Sequence, residues 1–134
     1  MNAHAKVLVV DDEEVVRACY LRILASRQCQ VREVGNGPDA LQLMDSQAFD
    51  VVLLDQKMPG MDGMAVLKSI KARWPETEVI MITGYPALES AKEAVLLGAY
   101  DYLAKPVGPD EVIHAANNAM AHKRWGLQQD RGAA

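Results

Sequence analysis

Carboxylates follow two of the apolar runs in this chain, at positions where they could bind a cation. Asp11 and Asp12 come directly after residues 7–10, and Asp55 comes directly after residues 51–54. Clustered carboxylates repel one another and together attract a hard cation, and Mg²⁺ with its retained waters suits two carboxylates plus a carbonyl oxygen. A carboxylate at a partly buried strand end also needs a cation or hydrogen-bond donors nearby. These residues therefore predict a site for a divalent cation.

A hydroxyl and an ammonium group follow two further apolar runs. Thr83 comes after residues 79–82, and Lys105 comes after Leu103-Ala104. A cation, an ammonium group and a hydroxyl together neutralise and orient phosphoryl oxygens, which is the usual strategy of phosphoryl-transfer sites. A carboxylate among such groups can itself be the nucleophile and form an aspartyl phosphate. Asp55 fits that role best because it is central among the other groups.

These side chains must be positioned by five short apolar runs that alternate with five amphipathic stretches. The predicted strands are Lys6–Val10, Gln30–Val34 and residues 51–54, 79–82 and 100–103. Most of them are rich in β-branched residues and lack polar alternation, which is typical of a parallel sheet covered on both faces. Strict alternation of strands and helices predicts a doubly wound α/β fold. Because such sheets bind ligands at the carboxyl ends of their strands, the polar groups above should converge at one rim.

Composition and length exclude several other kinds of protein. The 134 residues fit one domain, and 50% hydrophobic with 24% charged residues excludes wholesale disorder. A net charge of −4 provides no overall field for binding nucleic acid or an anionic membrane. No signal peptide or spanning segment is evident, and Cys19 and Cys29 are too few for a disulfide framework. We expect a cytoplasmic domain over residues 5–125, with the last helix ending near Trp125 and a flexible tail or linker start over residues 126–134.

Two other functions compete for the same residues. Gly35-x-Gly37-x-x-Ala40 matches the dinucleotide-binding fingerprint, with Asp55 twenty positions after its first glycine. Pro38 removes a backbone N–H where a pyrophosphate would need donors, so a simple strand-to-helix turn is favoured. A phosphatase with an aspartate nucleophile on the first strand also has Thr and Lys downstream, but that family uses Asp-x-Asp whereas here the two aspartates are adjacent.

Some remaining polar residues have ordinary structural explanations. His4, His114 and His122 lack the spacing of metal ligands and are expected at the surface. The basic stretch His122-Lys123-Arg124 is explained by a solvated helix end whose charge complements the helix dipole.

Four motifs make the chain resemble the receiver domain of bacterial two-component response regulators. They are Val9-Val10-Asp11-Asp12-Glu13, Asp55-Gln56-Lys57-Met58-Pro59-Gly60-Met61-Asp62-Gly63, Ile82-Thr83-Gly84 and Gly98-Ala99-Tyr100-Asp101-Tyr102-Leu103-Ala104-Lys105-Pro106. As a set at this spacing they are highly specific, and the likeness covers about residues 5–125. The resemblance implies a flavodoxin-like five-stranded parallel sheet in the order 2-1-3-4-5. It places helices one and five on one face and helices two to four on the other.

The resemblance also implies a role for each residue at the acidic end of the site. Asp55 matches the phosphoacceptor. Asp12 and Asp55 match the carboxylate ligands of Mg²⁺, the backbone carbonyl of Lys57 matches the third protein ligand, and Asp11 matches a residue that assists through water.

Three further residues match the parts of the family that sense the phosphoryl group. Thr83 matches the switch hydroxyl that bonds one phosphoryl oxygen, and Lys105 matches the ammonium that pairs with another. Tyr102 matches the aromatic switch that turns inward after phosphorylation. The Lys105–Pro106 bond is similar to one that is cis in this family.

The function implied by the resemblance is that of a phosphoacceptor signalling switch in a bacterial phosphorelay. The donor is a histidine kinase or a phosphotransfer protein, and the responding surface is helix four, strand five and helix five. The partners are then that donor and an output domain or downstream protein, with phosphorylation-dependent dimerisation compatible and no direct binding to nucleic acid or membrane. Because the product is the protein's own modified state, we do not expect an enzyme.

Overall fold

The structure is a computed structural model that describes residues 5–25 and 29–133, with side chains up to residue 123. Its strands are β1 (Lys6–Val10), β2 (Gln30–Val34), β3 (Val51–Asp55), β4 (Glu78–Thr83) and β5 (Asp101–Ala104). Its helices are α1 (Glu14–Ala25), α2 (Gly37–Ser46), α3 (Gly63–Arg73), α4 (Leu88–Leu96) and α5 (Pro109–Ala133). All strand pairs are parallel and the sheet order is β2-β1-β3-β4-β5. The predicted fold class and strand order are confirmed.

The sheet separates two hydrophobic layers. Along β3, Val52 and Leu54 pack against α2, α3 and α4, whereas Val51 and Leu53 pack against α1 and α5. Every residue of β3 is buried, because successive side chains point to opposite faces and both faces are covered. This arrangement explains why the central strands show no polar alternation, and it confirms the predicted distribution of helices.

Two of the predicted strands extend by a residue that belongs to the candidate site. β3 continues through Asp55, which is in register with Ile82 of β4, and β4 continues through Thr83, which is in register with Ala104 of β5. The β-sheet ladder therefore fixes the backbone of both polar residues directly.

The segment that matches the dinucleotide fingerprint is a tightly packed helix cap. The Asn36 side chain accepts a hydrogen bond from the backbone N–H of Asp39 at 2.8 Å, so it caps α2. A Cβ atom at Gly37 would lie 2.5 Å from Cγ2 of Val66 in α3. The glycine is therefore required by the contact between α2 and α3, and the strand-to-helix turn is the correct interpretation.

The end of α5 differs from the prediction in two respects. The helix continues to Ala133 instead of ending near Trp125, and most residues after 126 are good helix formers. Lys123 is not at a solvated helix end: its Nζ lies 2.5 Å from Oδ1 of Asp50, which precedes β3. His122 Nδ1 lies 3.3 Å from a carboxylate oxygen of Glu78 in β4, although its ring is half exposed. The assignment of residues 126–134 as a linker start stays a prediction.

The remaining histidines agree with the sequence interpretation where they are described. His114 is exposed on α5, and His4 lies outside the described residues. Within the described part of the chain, no helix combines the length and the apolar character needed to cross a bilayer.

Candidate functional site

Three aspartates meet at the carboxyl ends of β1 and β3. These strands are neighbours, with Val10 in register with Leu54, so the residues that follow are brought to the same rim. Asp11 is 2% exposed and Asp55 5%, whereas Asp12 is exposed to solvent. One carboxylate oxygen from each of the three lies within 4.8 Å of the other two. Such a cluster of oxygen donors fits a hard divalent cation.

Lys105 brings a positive charge into this cluster. Its Nζ donates to Oδ2 of Asp11 at 3.1 Å and lies 3.5 Å from Oδ1 of Asp55. The backbone N–H of Lys105 also donates to the carbonyl oxygen of Thr83 at 2.7 Å, so the loop after β5 is attached to the end of β4. The Lys105–Pro106 peptide bond is cis, as the sequence resemblance predicts.

The pKa values of Asp55 and Lys105 are both raised, for different reasons. Burial, supplemented by the neighbouring carboxylate of Asp11, raises the pKa of Asp55 to about 6. Burial alone would lower the pKa of Lys105, but its hydrogen bond to Asp11 and the charges of Asp11 and Asp55 raise that pKa overall. The ammonium is therefore held in its charged form against the carboxylates.

Thr83, Lys57 and Tyr85 lie at the ends of β3 and β4, next to the cluster of aspartates. Thr83 is fully buried, and its Oγ1 accepts a hydrogen bond from the backbone N–H of Tyr85 at 3.0 Å. The backbone N–H of Lys57 donates to Oδ1 of Asp55 at 3.4 Å. The Lys57 Nζ also lies 6.0 Å from the centre of the exposed Tyr85 ring, within cation–π range. The role of the Lys57 carbonyl as a metal ligand stays a prediction.

Arg17 positions the first aspartate, and this role was not predicted from the sequence. Arg17 in α1 donates from a terminal nitrogen to the carbonyl oxygen of Asp11 at 2.7 Å, and it pairs with Glu33 of β2 at 3.2 Å. The Asp11 carboxylate itself accepts from the backbone N–H of Glu13 at 2.9 Å. An arginine six residues after the aspartate that follows β1 was the available sequence signal.

The loop after Asp55 is held in place by a close backbone contact. The N–H of Gly63 donates to the carbonyl oxygen of Gln56 at 2.9 Å. A Cβ atom at Gly63 would lie 2.6 Å from the carbonyl oxygen of Asp55, which is too close for any side chain. Gly63 therefore allows α3 to begin directly against the end of β3.

Tyr102 is connected to this loop by a side-chain hydrogen bond that was not foreseen. Its hydroxyl donates to Oε1 of Gln56 at 3.0 Å, and its ring is partly buried against the layer formed with α2, α3 and α4. No role was predicted for Gln56 from the sequence. A polar residue directly after a buried strand was the only signal that could have drawn attention to it.

Comparison with known proteins gives the family. The family model of the response regulator receiver domain matches residues 7–117. The chain therefore belongs to the response regulator receiver domain family, the phosphoacceptor switches of two-component signalling systems. Members of this family bind Mg²⁺ at an acidic pocket, and the cluster of Asp11, Asp12 and Asp55 is a pocket of that kind.

Individual relatives agree with this assignment. The chain is 40% identical over 116 residues to the DNA-binding transcriptional regulator NtrC of Escherichia coli, covering 87% of this chain and 25% of that protein. It is 36% identical to the receiver domain of NtrX from Brucella abortus, with a TM-score of 0.81 over 86% of this chain and 98% of that one. A receiver domain from Clostridium thermocellum is 34% identical, with a TM-score of 0.85 over 90% and 98% of the two chains. This chain spans about a quarter of the length of the curated relatives that it matches.

Proposed function

We propose that Asp55 accepts a phosphoryl group and that the other residues of the site assist this transfer. The observation that supports the proposal is the position of Lys105, whose ammonium lies between the buried carboxylates of Asp11 and Asp55. A cation held among carboxylates at the carboxyl ends of parallel strands is suited to receiving the oxygens of a phosphoryl group.

The proposed transfer forms one bond and breaks another. A carboxylate oxygen of Asp55 attacks the phosphorus of a phosphohistidine on a histidine kinase or phosphotransfer protein. The P–N bond breaks, and the departing imidazole nitrogen takes up a proton from solvent. Because the pKa of Asp55 is raised only to about 6, most of this residue is in the reactive carboxylate form above pH 7.

A divalent cation fits the same residues. We expect Asp12, Asp55 and the carbonyl of Lys57 to hold Mg²⁺ directly, with Asp11 assisting through water. When bound, the ion neutralises phosphoryl oxygens and offsets the repulsion among the carboxylates. Lys105 and Thr83 would contact the remaining phosphoryl oxygens.

The proposed response surface consists of α4, β5 and α5. α4 is weakly held, because Ala94 is its only fully buried residue and Ala87 at its N-cap has no side-chain hydrogen bond. Its apolar residues are unusually exposed, with Leu88 at 69% and Leu96 at 86%. A helix with so few buried contacts can shift at a small cost in free energy, and β5 links it to Lys105.

Phosphorylation of Asp55 is tested with a small-molecule donor and a matched variant. The wild type incubated with Mg²⁺ and acetyl phosphate should show a retarded band on a phosphate-affinity gel. Asp55→Asn should show none, because an amide is not a nucleophile here. Asp110→Asn, which changes an exposed aspartate in the first turn of α5, should label like the wild type. Equal labelling of the Asp55 variant would refute the assignment.

The response surface is tested by amide hydrogen exchange with and without beryllofluoride, a mimic of the phosphoryl group. Protection should change most over residues 84–106, and changes confined to residues 35–47 would contradict the proposal. In this proposal the chain is not an enzyme, since its product is its own modified state. Dimerisation on phosphorylation, an output domain or downstream protein and a cytoplasmic location stay predictions.

A further inference from the structure

The side chain of Gln56 connects the loop of the proposed phosphoacceptor to β5. Gln56 directly follows Asp55, and it is only 6% exposed. Its Oε1 accepts the hydrogen bond from the Tyr102 hydroxyl at 3.0 Å, across 46 positions of sequence. Tyr102 lies in β5, three residues before Lys105. One hydrogen bond therefore joins the loop that follows the proposed nucleophile to the strand that leads to the Lys105 ammonium.

The backbone of Gln56 is fixed, so its side-chain amide extends from an anchored position. Its N–H donates to the carbonyl oxygen of Ile82 at 2.9 Å, and its own carbonyl oxygen accepts from Gly63 at 2.9 Å. A Cβ atom at Gly63 would lie 2.7 Å from Cα of Gln56, which shows how closely α3 approaches. Tyr102 is only partly buried and lies in a four-residue strand at the edge of the sheet. The tyrosine is thus the partner that can move.

We infer that Gln56 is a positioning residue: its hydrogen bond holds Tyr102 partly buried already in the unmodified domain, earlier than the inward turn that the family resemblance implies, and so keeps β5 close to Asp55 before a phosphoryl group arrives. The inference rests on the proposed function, in which Asp55 receives that group. If only the conformation with Tyr102 held inward binds the phosphoryl group well, the apparent affinity falls in proportion to the fraction of molecules in that conformation.

The affinity for beryllofluoride in the presence of Mg²⁺ measures this effect by calorimetry. Gln56→Leu leaves the tyrosine hydroxyl without its acceptor, and Tyr102→Phe removes the donor but keeps the ring. Each change should weaken binding about fivefold, which is about 1 kcal/mol at 1.36 kcal/mol per tenfold. The double variant should bind about as well as either single variant, because both remove the same interaction.

A second readout follows the tyrosine ring itself. In protein carrying ¹³C-labelled tyrosine, the signal that disappears in Tyr102→Phe identifies Tyr102. That signal should move in unliganded Gln56→Leu, while the signal of Tyr100, which packs on the opposite face near His122, stays in place. Tyr100→Phe is the matched control and should bind beryllofluoride like the wild type.

Each remaining outcome decides the question. Unchanged affinity and an unchanged Tyr102 signal in Gln56→Leu would overturn the inference, and so would additive losses in the double variant, which indicate a general structural role. If the leucine variant does not fold, Gln56→Met keeps the length of the side chain and replaces it in every measurement. If the wild type binds no beryllofluoride, the proposed function fails, and the tyrosine signals alone still decide whether Gln56 positions Tyr102.

Discussion

Replacing Asp55 by asparagine should stabilise the metal-free protein at neutral pH, although it removes the proposed nucleophile. Asp55 is buried beside the buried carboxylate of Asp11, and Lys105 is nearer to Asp11 (3.1 Å) than to Asp55 (3.5 Å). The carboxylate of Asp55 is therefore only partly compensated. An amide of the same shape removes its negative charge, together with the cost of burying that charge.

The size of the effect follows from the ionisation of Asp55. Its pKa rises from 3.8 to about 6 on folding, so the native state binds this proton more tightly than the unfolded chain. The stabilising contribution is complete below about pH 4 and is lost as the pH rises through about 6. At 1.36 kcal/mol for each unit of pKa, the loss amounts to at most about 3 kcal/mol. Asparagine does not titrate, so the variant avoids this loss.

Urea unfolding of the two proteins in EDTA, from pH 4.5 to pH 8, isolates this contribution. All other titrating groups are common to both proteins and cancel to first order in the difference. We expect Asp55→Asn to be up to about 3 kcal/mol more stable than the wild type at pH 8, and this difference should shrink to about 1 kcal/mol at pH 4.5. Added Mg²⁺ should stabilise the wild type and reduce the difference, because the ion binds the native state.

Asp12→Asn is the control for this prediction. Asp12→Asn removes an exposed charge from the same cluster and should change the free energy of unfolding by less than half as much. If Asp55→Asn is no more stable than the wild type at pH 8, and the difference does not vary with pH, the buried carboxylate carries no penalty. The electrostatic description of the site would then be wrong.

Three further predictions concern the rest of the site. Lys57→Asn and Tyr85→Ala should each shorten the half-life of the phosphorylated protein severalfold on a phosphate-affinity gel. Their side chains lie near each other beside Asp55 and Thr83, where they would crowd a water that approaches the phosphoryl group, and wild-type decay in both variants would contradict this. Asp12→Asn should weaken Mg²⁺ binding at least tenfold by calorimetry, and unchanged binding would remove this residue from the ligand set. Gly63→Ala should lower the free energy of unfolding by about 2 kcal/mol or more, because the new Cβ atom would meet the backbone of Asp55 and Gln56. Gly108→Ala, whose new Cβ atom meets nothing within 4 Å, should be neutral. Equal effects would show that the backbone against Gly63 is not rigid.

Local patterns in the sequence were sufficient to predict the sheet and the rim. Buried parallel strands require apolar runs such as residues 51–54, and the parallel topology brings their carboxyl ends together, so Asp11, Asp55 and Lys105 could be placed at one site before their distances were known. The boundaries were less accurate because Asp55 and Thr83 are polar residues whose membership of a strand depends on hydrogen bonds to neighbouring strands.

The residues that escaped prediction are those whose partners lie far away in sequence. Lys123 pairs with Asp50 across 73 positions, and Tyr102 bonds Gln56 across 46. No periodicity or motif records such pairs, since they depend on how α5 and β5 settle on the sheet. The continuation of α5 to Ala133 was not predicted because the residues after Trp125 are mostly polar or small, although most of them favour helix.

The separation of the core into two layers has a consequence for how such a domain can diversify. The side chains that pack on α1 and α5 share no apolar cluster with those that pack on α2, α3 and α4. Substitutions without shared partners add their free energies to within about 0.5 kcal/mol. A change of surface or packing on one side therefore needs no compensating change on the other. Each layer of the core can therefore be repacked without disturbing the other, around one unaltered chemical centre.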